Sequence, residues 1–113
     1  MPATGTCFVE AYKLASKLGD DKNIRLVHGY VTSSRTDGLR YRHSHAWVED
    51  ISSQEVLEFS NGNEIVCSRE KFYEKFMIEQ TVAYSPTDAA LEMLKHNHSG
   101  PWVEWLNPGD QPI

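Results

Sequence analysis

Apolar residues recur with a helical period at the start of the chain. Phe8, Ala11, Tyr12 and Ala15 fall at i, i+3, i+4 and i+7, and Cys7, Leu14 and Leu18 widen the same stripe. This spacing predicts a helix over about 5–18. Thr4 or Thr6 offers the N-cap, and Gly19 followed by Asp20 and Asp21 offers the stop. The period then shortens to two. Over 24–32, Ile24, Leu26, His28 and Tyr30 share one face of a predicted strand. Over 41–49, His43, His45, Trp47 and Glu49 share one face, and Ser44, Ala46 and Val48 the other. The polar stretch 33–42, with Asp37-Gly38 inside it, reads as a loop or wide hairpin connection. A polar turn at 50–54 leads to a third strand over 55–59, and Ser60-Asn61-Gly62-Asn63 reads as the next turn.

The second half is mostly helical. Ser68 can cap a short helix carrying Phe72, Phe76 and Met77, and 80–84 reads as a short strand. Ser85-Pro86-Thr87-Asp88 combines a cap serine, proline at the first helical position and an early acid. The helix it starts is expected to reach about residue 95, with Ala89, Ala90, Leu91, Met93 and Leu94 available for packing. From about 99 the chain is rich in Pro, Gly and Trp and reads as an irregular tail anchored by Trp102 and Trp105. The predicted architecture is α+β: an N-terminal helix packed on a small antiparallel sheet, with further short helices, in one domain over 1–113.

Composition narrows the functional classes. The 113 residues are 40% hydrophobic and 24% charged, enough for a single closed core. No apolar run approaches the roughly 18 residues that span a bilayer, and MPATGTCFVEAY lacks the basic and apolar regions of a secretory leader. A cytoplasmic location without a membrane partner is therefore expected. A formal charge of −5 disfavours nucleic acid as a partner. Arg35, Arg40 and Arg42 are scattered through a polar loop and read as solvated. With no leader, Cys7 and Cys67 are expected as free thiols rather than a disulfide.

The chemistry concentrates on Cys7. A nucleophilic cysteine must be a thiolate, and a helix N-terminus and a neighbouring histidine are two common ways to favour one. Cys7 sits in the first turn of the predicted helix. Of the five histidines, His45 is the strongest candidate partner, on a central strand beside Trp47. Pairing Asp50 with Glu55 across the turn sets His45 opposite Ser60 and places Glu58 on the same face, two residues away. Glu58 is then the first choice to orient the imidazole and Asn61 the second. His43 shares the face of His45 and reads as a rim residue. His28 reads as a hydrogen-bonded core histidine or a site-lining one, and Trp47 as a core anchor that can line the site.

The bland alternative for Cys7 is a small buried hydrophobe in a helix stripe. Metal binding is a rival constellation, in which His43-x-His45 and His96-x-His98 combine with Cys7 or Cys67. A basic helix end explains His96 and His98 equally well. No metal or other cofactor is expected.

The order of a helix-start cysteine, then His45-Ala46-Trp47-Val48-Glu49, then the acid Glu58, resembles the papain-like and transglutaminase-like thiol enzymes. Further stretches resemble a group of small phage and bacterial proteins of unknown function. These are Gly5-Thr6-Cys7, Leu26-Val27-His28-Gly29, Glu58-Phe59-Ser60-Asn61-Gly62, Tyr84-Ser85-Pro86 and Gly100-Pro101-Trp102. The resemblance implies a Cys7–His45–Glu58 triad acting through an acyl-enzyme on a peptide, protein or small amide or thioester. Two positions depart from it: Glu58 stands where Asp is expected, and Thr6 where Asn precedes the cysteine. A glutamine ahead of the nucleophile, the papain-type oxyanion donor, is also missing, which leaves the Cys7 backbone N–H as the donor to name. A non-catalytic protein-interaction module or phage effector on the same fold is the alternative.

Overall fold

The computed structural model describes residues 4–19, 23–34, 37–60, 63–106 and 111–112. Helix α1 (Thr4–Leu18) is followed by strands β1 (Ile24–Ser34), β2 (Arg40–Asp50), β3 (Glu55–Ser60) and β4 (Asn63–Ser68). Helix α2 (Arg69–Lys75), strand β5 (Glu79–Tyr84), helix α3 (Pro86–His96) and the short strand β6 (Gln111–Pro112) complete the chain. The sheet is antiparallel, in the order β4-β3-β2-β1-β5, with β6 paired to β2. The fold is α+β. No helix among the described residues is long and apolar enough to cross a membrane.

Alternation along β1 and β2 divides the core in two. Leu26, Ala46 and Val48 pack with Phe8, Ala11, Leu14 and Ala15 of α1, together with Ala89 and Trp102. Val27, Val31 and Trp47 point to the opposite face, where they meet Val56 of β3 and Phe72 of α2. The sheet is thus a filling between α1 and α2, and a side chain's odd or even position in β2 decides which helix it meets.

Several boundaries move. β1 and β2 extend to Ser34 and Arg40, pairing Ser33 with Tyr41 and Ser34 with Arg40, so half of the predicted 33–42 loop is ladder. Their side chains are polar because this end of the hairpin is less buried, and polarity does not stop backbone pairing. Strand β4 was absent from the expected elements. Its Glu64, Ile65 and Val66 are all exposed, so no apolar alternation marks it. The Asn61-Gly62 dipeptide, a strong hairpin signal, is the feature that points to it. Helix α1 is described over Thr4–Leu18, and the side chains of Thr4 and Thr6, the expected caps, lie outside the described residues. In α3 only Ala89 is buried, while Leu91 and Leu94 are 58% and 79% exposed, against the expected packing of both. In the tail the Trp102 ring is buried as expected, but Trp105 is exposed and tied down through its backbone carbonyl, which accepts from Tyr30 Oη at 2.8 Å. Leu106 is the buried partner there.

The caps of the last two helices follow the sequence. Ser68 Oγ accepts from the Lys71 N–H at 3.2 Å, and Ser85 Oγ accepts from the Asp88 N–H at 3.1 Å ahead of Pro86. Asp50 closes the β2–β3 turn by accepting from the N–H and Oγ of Ser52, at 3.0 and 2.7 Å.

Candidate active site

Register places the site. β2 and β3 pair Asp50 with Glu55, Glu49 with Val56 and Val48 with Leu57, and among the described residues their ladder ends there. β1 occupies the other edge of β2 along its whole length, so β6, paired at Tyr41 and Arg42, must lie on the β3 side. His45 falls between these two pairings, where the described ladder leaves the β2 edge open. Cys7, carried by α1 on one face of the sheet, and Glu58, carried by β3 toward the other, both reach it.

The His45 Nε2 lies 3.1 Å from Glu58 Oε1, with the two side chains 19% and 15% exposed. Cys7 makes a second side-chain hydrogen bond to the same imidazole. Burial works against the charged ring, but these two hydrogen bonds and the nearby charges outweigh it and raise the His45 pKa to about 9. The ring stacks on Trp47, with centroids 6.0 Å apart and planes 28° from parallel, so its orientation is fixed from behind as well. Trp47 itself is fully buried.

The other expected residues divide. His43 is near the pair, with Ser33 Oγ at 3.1 Å from its Nε2 and its ring 6.0 Å from that of His45. His28 is elsewhere: its side chain points to the α1 face, enclosed by Phe8, Tyr84 and Trp102 at centroid distances of 4.8, 5.4 and 5.0 Å. It is core, but the expected hydrogen bond is missing, since neither ring nitrogen has a partner among the described residues. Gly100, at φ +114°, closes the cage; a Cβ there would stand 2.6 Å from His28 Cε1. Asn61 and the side chains of Thr6 and Ser60 lie outside the described residues. Cys7 lies near the N-terminal end of α1, which is described from Thr4. Among the described residues no three or more His, Cys, Asp or Glu side chains gather as a metal site.

Two features were not anticipated. Glu49, only 7% exposed, accepts from Trp47 Nε1 at 2.8 Å and pairs with Arg69 Nε at 2.9 Å. It also accepts from Tyr73 Oη. Burial and the Glu49 carboxylate push the Tyr73 hydroxyl above its usual range. The last residue of the His-Ala-Trp-Val-Glu run therefore fastens α2 to the sheet beneath His45. Replacing Glu49 with Ala is expected to lower unfolding stability by about 2–4 kcal/mol, because Trp47 loses a buried partner and two further bonds go with it. A urea midpoint within error of wild type would refute this.

The second feature is a cavity of about 140 Å³ beside His45. Val31, Phe72 and Phe76 form its apolar wall, and Ser33, His43, His45 and Glu58 its polar side. Ser33 was placed in a loop by sequence; its odd position after Val31 carries the signal once the strand is extended.

No protein-family model, curated protein or solved structure matches the chain.

Proposed function

We propose that this chain is a cysteine-dependent acyl-transfer enzyme of the papain-like or transglutaminase-like kind, acting on an amide or thioester. The observation that carries the reading is the His45 imidazole held between Cys7 and Glu58. Glu58 engages Nε2, so this reading assigns Nδ1 to the sulfur. The imidazolium favoured by this environment is the partner that a thiolate nucleophile needs. Cys7 Sγ attacks the carbonyl carbon, the C–N or C–S bond breaks, and His45 gives its proton to the departing amine or thiol. Water or an amine then attacks the Cys7 thioester, His45 takes a proton from it, and Sγ leaves. Glu58 keeps the ring oriented and stabilises its positive charge.

The test is stoichiometric acetylation by p-nitrophenyl acetate, followed by peptide mass mapping. One acetyl group is expected on Cys7, with nitrophenolate released in a burst. Cys67 is an internal control, because burial and the Glu58 charge raise its thiol pKa. Equal labelling of both cysteines, at the rate of a free thiol, would sink the proposal.

A second reading is a protein-interaction module without catalysis, favoured by Glu58 standing where the thiol enzymes the chain resembles carry Asp. On that reading Cys7→Ala keeps full biological activity, whereas the acyl-transfer reading requires its loss.

A further inference from the structure

We infer that the cavity on the α2 side of His45 is a subsite for a compact, uncharged apolar group, phenyl-sized, in the leaving half of the acyl substrate. The assignment to the leaving half rests on the acyl-transfer reading; the binding itself does not.

Size and lining fix the chemistry. The cavity is half open to solvent, and its volume of about 140 Å³ is close to the ~150 Å³ that accommodates benzene in a protein interior. Val31 and Phe72, each 2% exposed, and the half-buried Phe76 present carbon to it. Its polar atoms are largely engaged with one another: His45 Nε2 with Glu58 at 3.1 Å, and His43 Nε2 with Ser33 Oγ at 3.1 Å. A ligand there needs no charge, and a carboxylate would face Glu58.

Position fixes which half of the substrate enters. The cavity is lined by His45 and Glu58 but not by Cys7, and α1 and α2 lie on opposite faces of the sheet. The acyl group stays on Sγ, on the α1 side. The departing atom must come within hydrogen-bond reach of the imidazole to receive its proton. Substituents on that atom pass over His45 toward the α2 side, where the cavity stands.

Two measurements separate the subsite from the catalytic reading. Benzyl alcohol is titrated into the Cys7→Ala protein while the His43, His45 and Phe76 ring resonances are followed by NMR. Saturable shifts at these rings are expected, with none for methanol at equal concentration, and Phe76→Trp, which fills the cavity, is expected to abolish them. In the catalytic protein, S-benzyl thioacetate is expected to acylate Cys7 about tenfold faster in kcat/KM than S-methyl thioacetate. Phe76→Ala, which enlarges the cavity, is expected to move the preference to the S-naphthylmethyl ester. Absence of shifts at all three rings overturns the subsite. Acylation that proceeds at one rate for both thioesters overturns the leaving-half assignment and leaves the acyl-transfer reading intact. Benzyl alcohol binding with no acylation by any thioester overturns the acyl-transfer reading and the leaving-half assignment together, and supports the cavity as a binding site.

Discussion

Replacing His45 with Ala is expected to slow acetylation of Cys7 by at least about a hundredfold, the usual effect of a positioned general acid–base. On the acyl-transfer reading the loss has two parts, since the imidazole would both stabilise the thiolate and carry the proton to the leaving group. Glu58→Gln keeps an acceptor oxygen near Nε2 and removes only the charge, so a smaller drop, about tenfold, is expected. The two variants also differ in pH dependence. With the His45 pKa raised to about 9, wild-type acylation is expected to hold across neutral pH and decline near pH 9, as the imidazolium loses its proton. Glu58→Gln removes one of the causes of that elevation, so its alkaline limb is expected at lower pH. Stopped-flow acylation from pH 5 to 10 reads both quantities, and circular dichroism checks that each variant is folded. Wild-type rates and an unmoved alkaline limb in both variants would remove His45 and Glu58 from the mechanism.

Much of this site was legible in sequence because it depends on period and register. The helical stripe beginning at Cys7 and the alternation of β2 are local, and Asp50 opposite Glu55 follows from a short polar turn. That single pairing put Glu58 diagonal to His45, and the 3.1 Å contact is its consequence. The resemblance to thiol enzymes directed attention to the same three residues but could not supply their geometry. What sequence did not convey is that Cys7 and Glu58 approach from opposite faces of the sheet. That arrangement depends on where the β2–β3 ladder stops, which is decided by tertiary packing and not by any residue's own preference. Glu49 illustrates the same limit: alternation put it on the face of His45, but only the docking of α2 reveals Arg69 and Tyr73 as its partners. Strand β4 and the ends of β1 and β2 beyond the core escaped because few of their side chains are apolar and none described there is fully buried, so period carries little information.

Lowering the pH from 6.5 toward 3 is expected to destabilise the fold by about 4–5 kcal/mol through His28 alone. Burial drops the pKa of this residue from 6.5 to about 3, because the cage of Phe8, Tyr84 and Trp102 offers no partner for a charged ring. The unfolded chain binds the proton near 6.5 and the folded one does not, so the stability is intact above pH 6.5 and is lost as pH falls toward 3. His45 works in the opposite direction. Its folded pKa lies above the unfolded value, so its contribution, about 3 kcal/mol, is complete below pH 6.5 and disappears as pH rises through about 9. Together the two histidines place a stability maximum near pH 6.5, with separately assignable limbs. Urea unfolding at intervals from pH 4 to 9 is expected to show that dome. His28→Leu removes the titrating group from the cage and is expected to flatten only the acid limb; His45→Ala is expected to flatten only the alkaline one. A His28 ring that titrates near 6.5 by NMR in the folded protein, or an acid limb that survives His28→Leu unchanged, would show that the cage does not hold this histidine neutral.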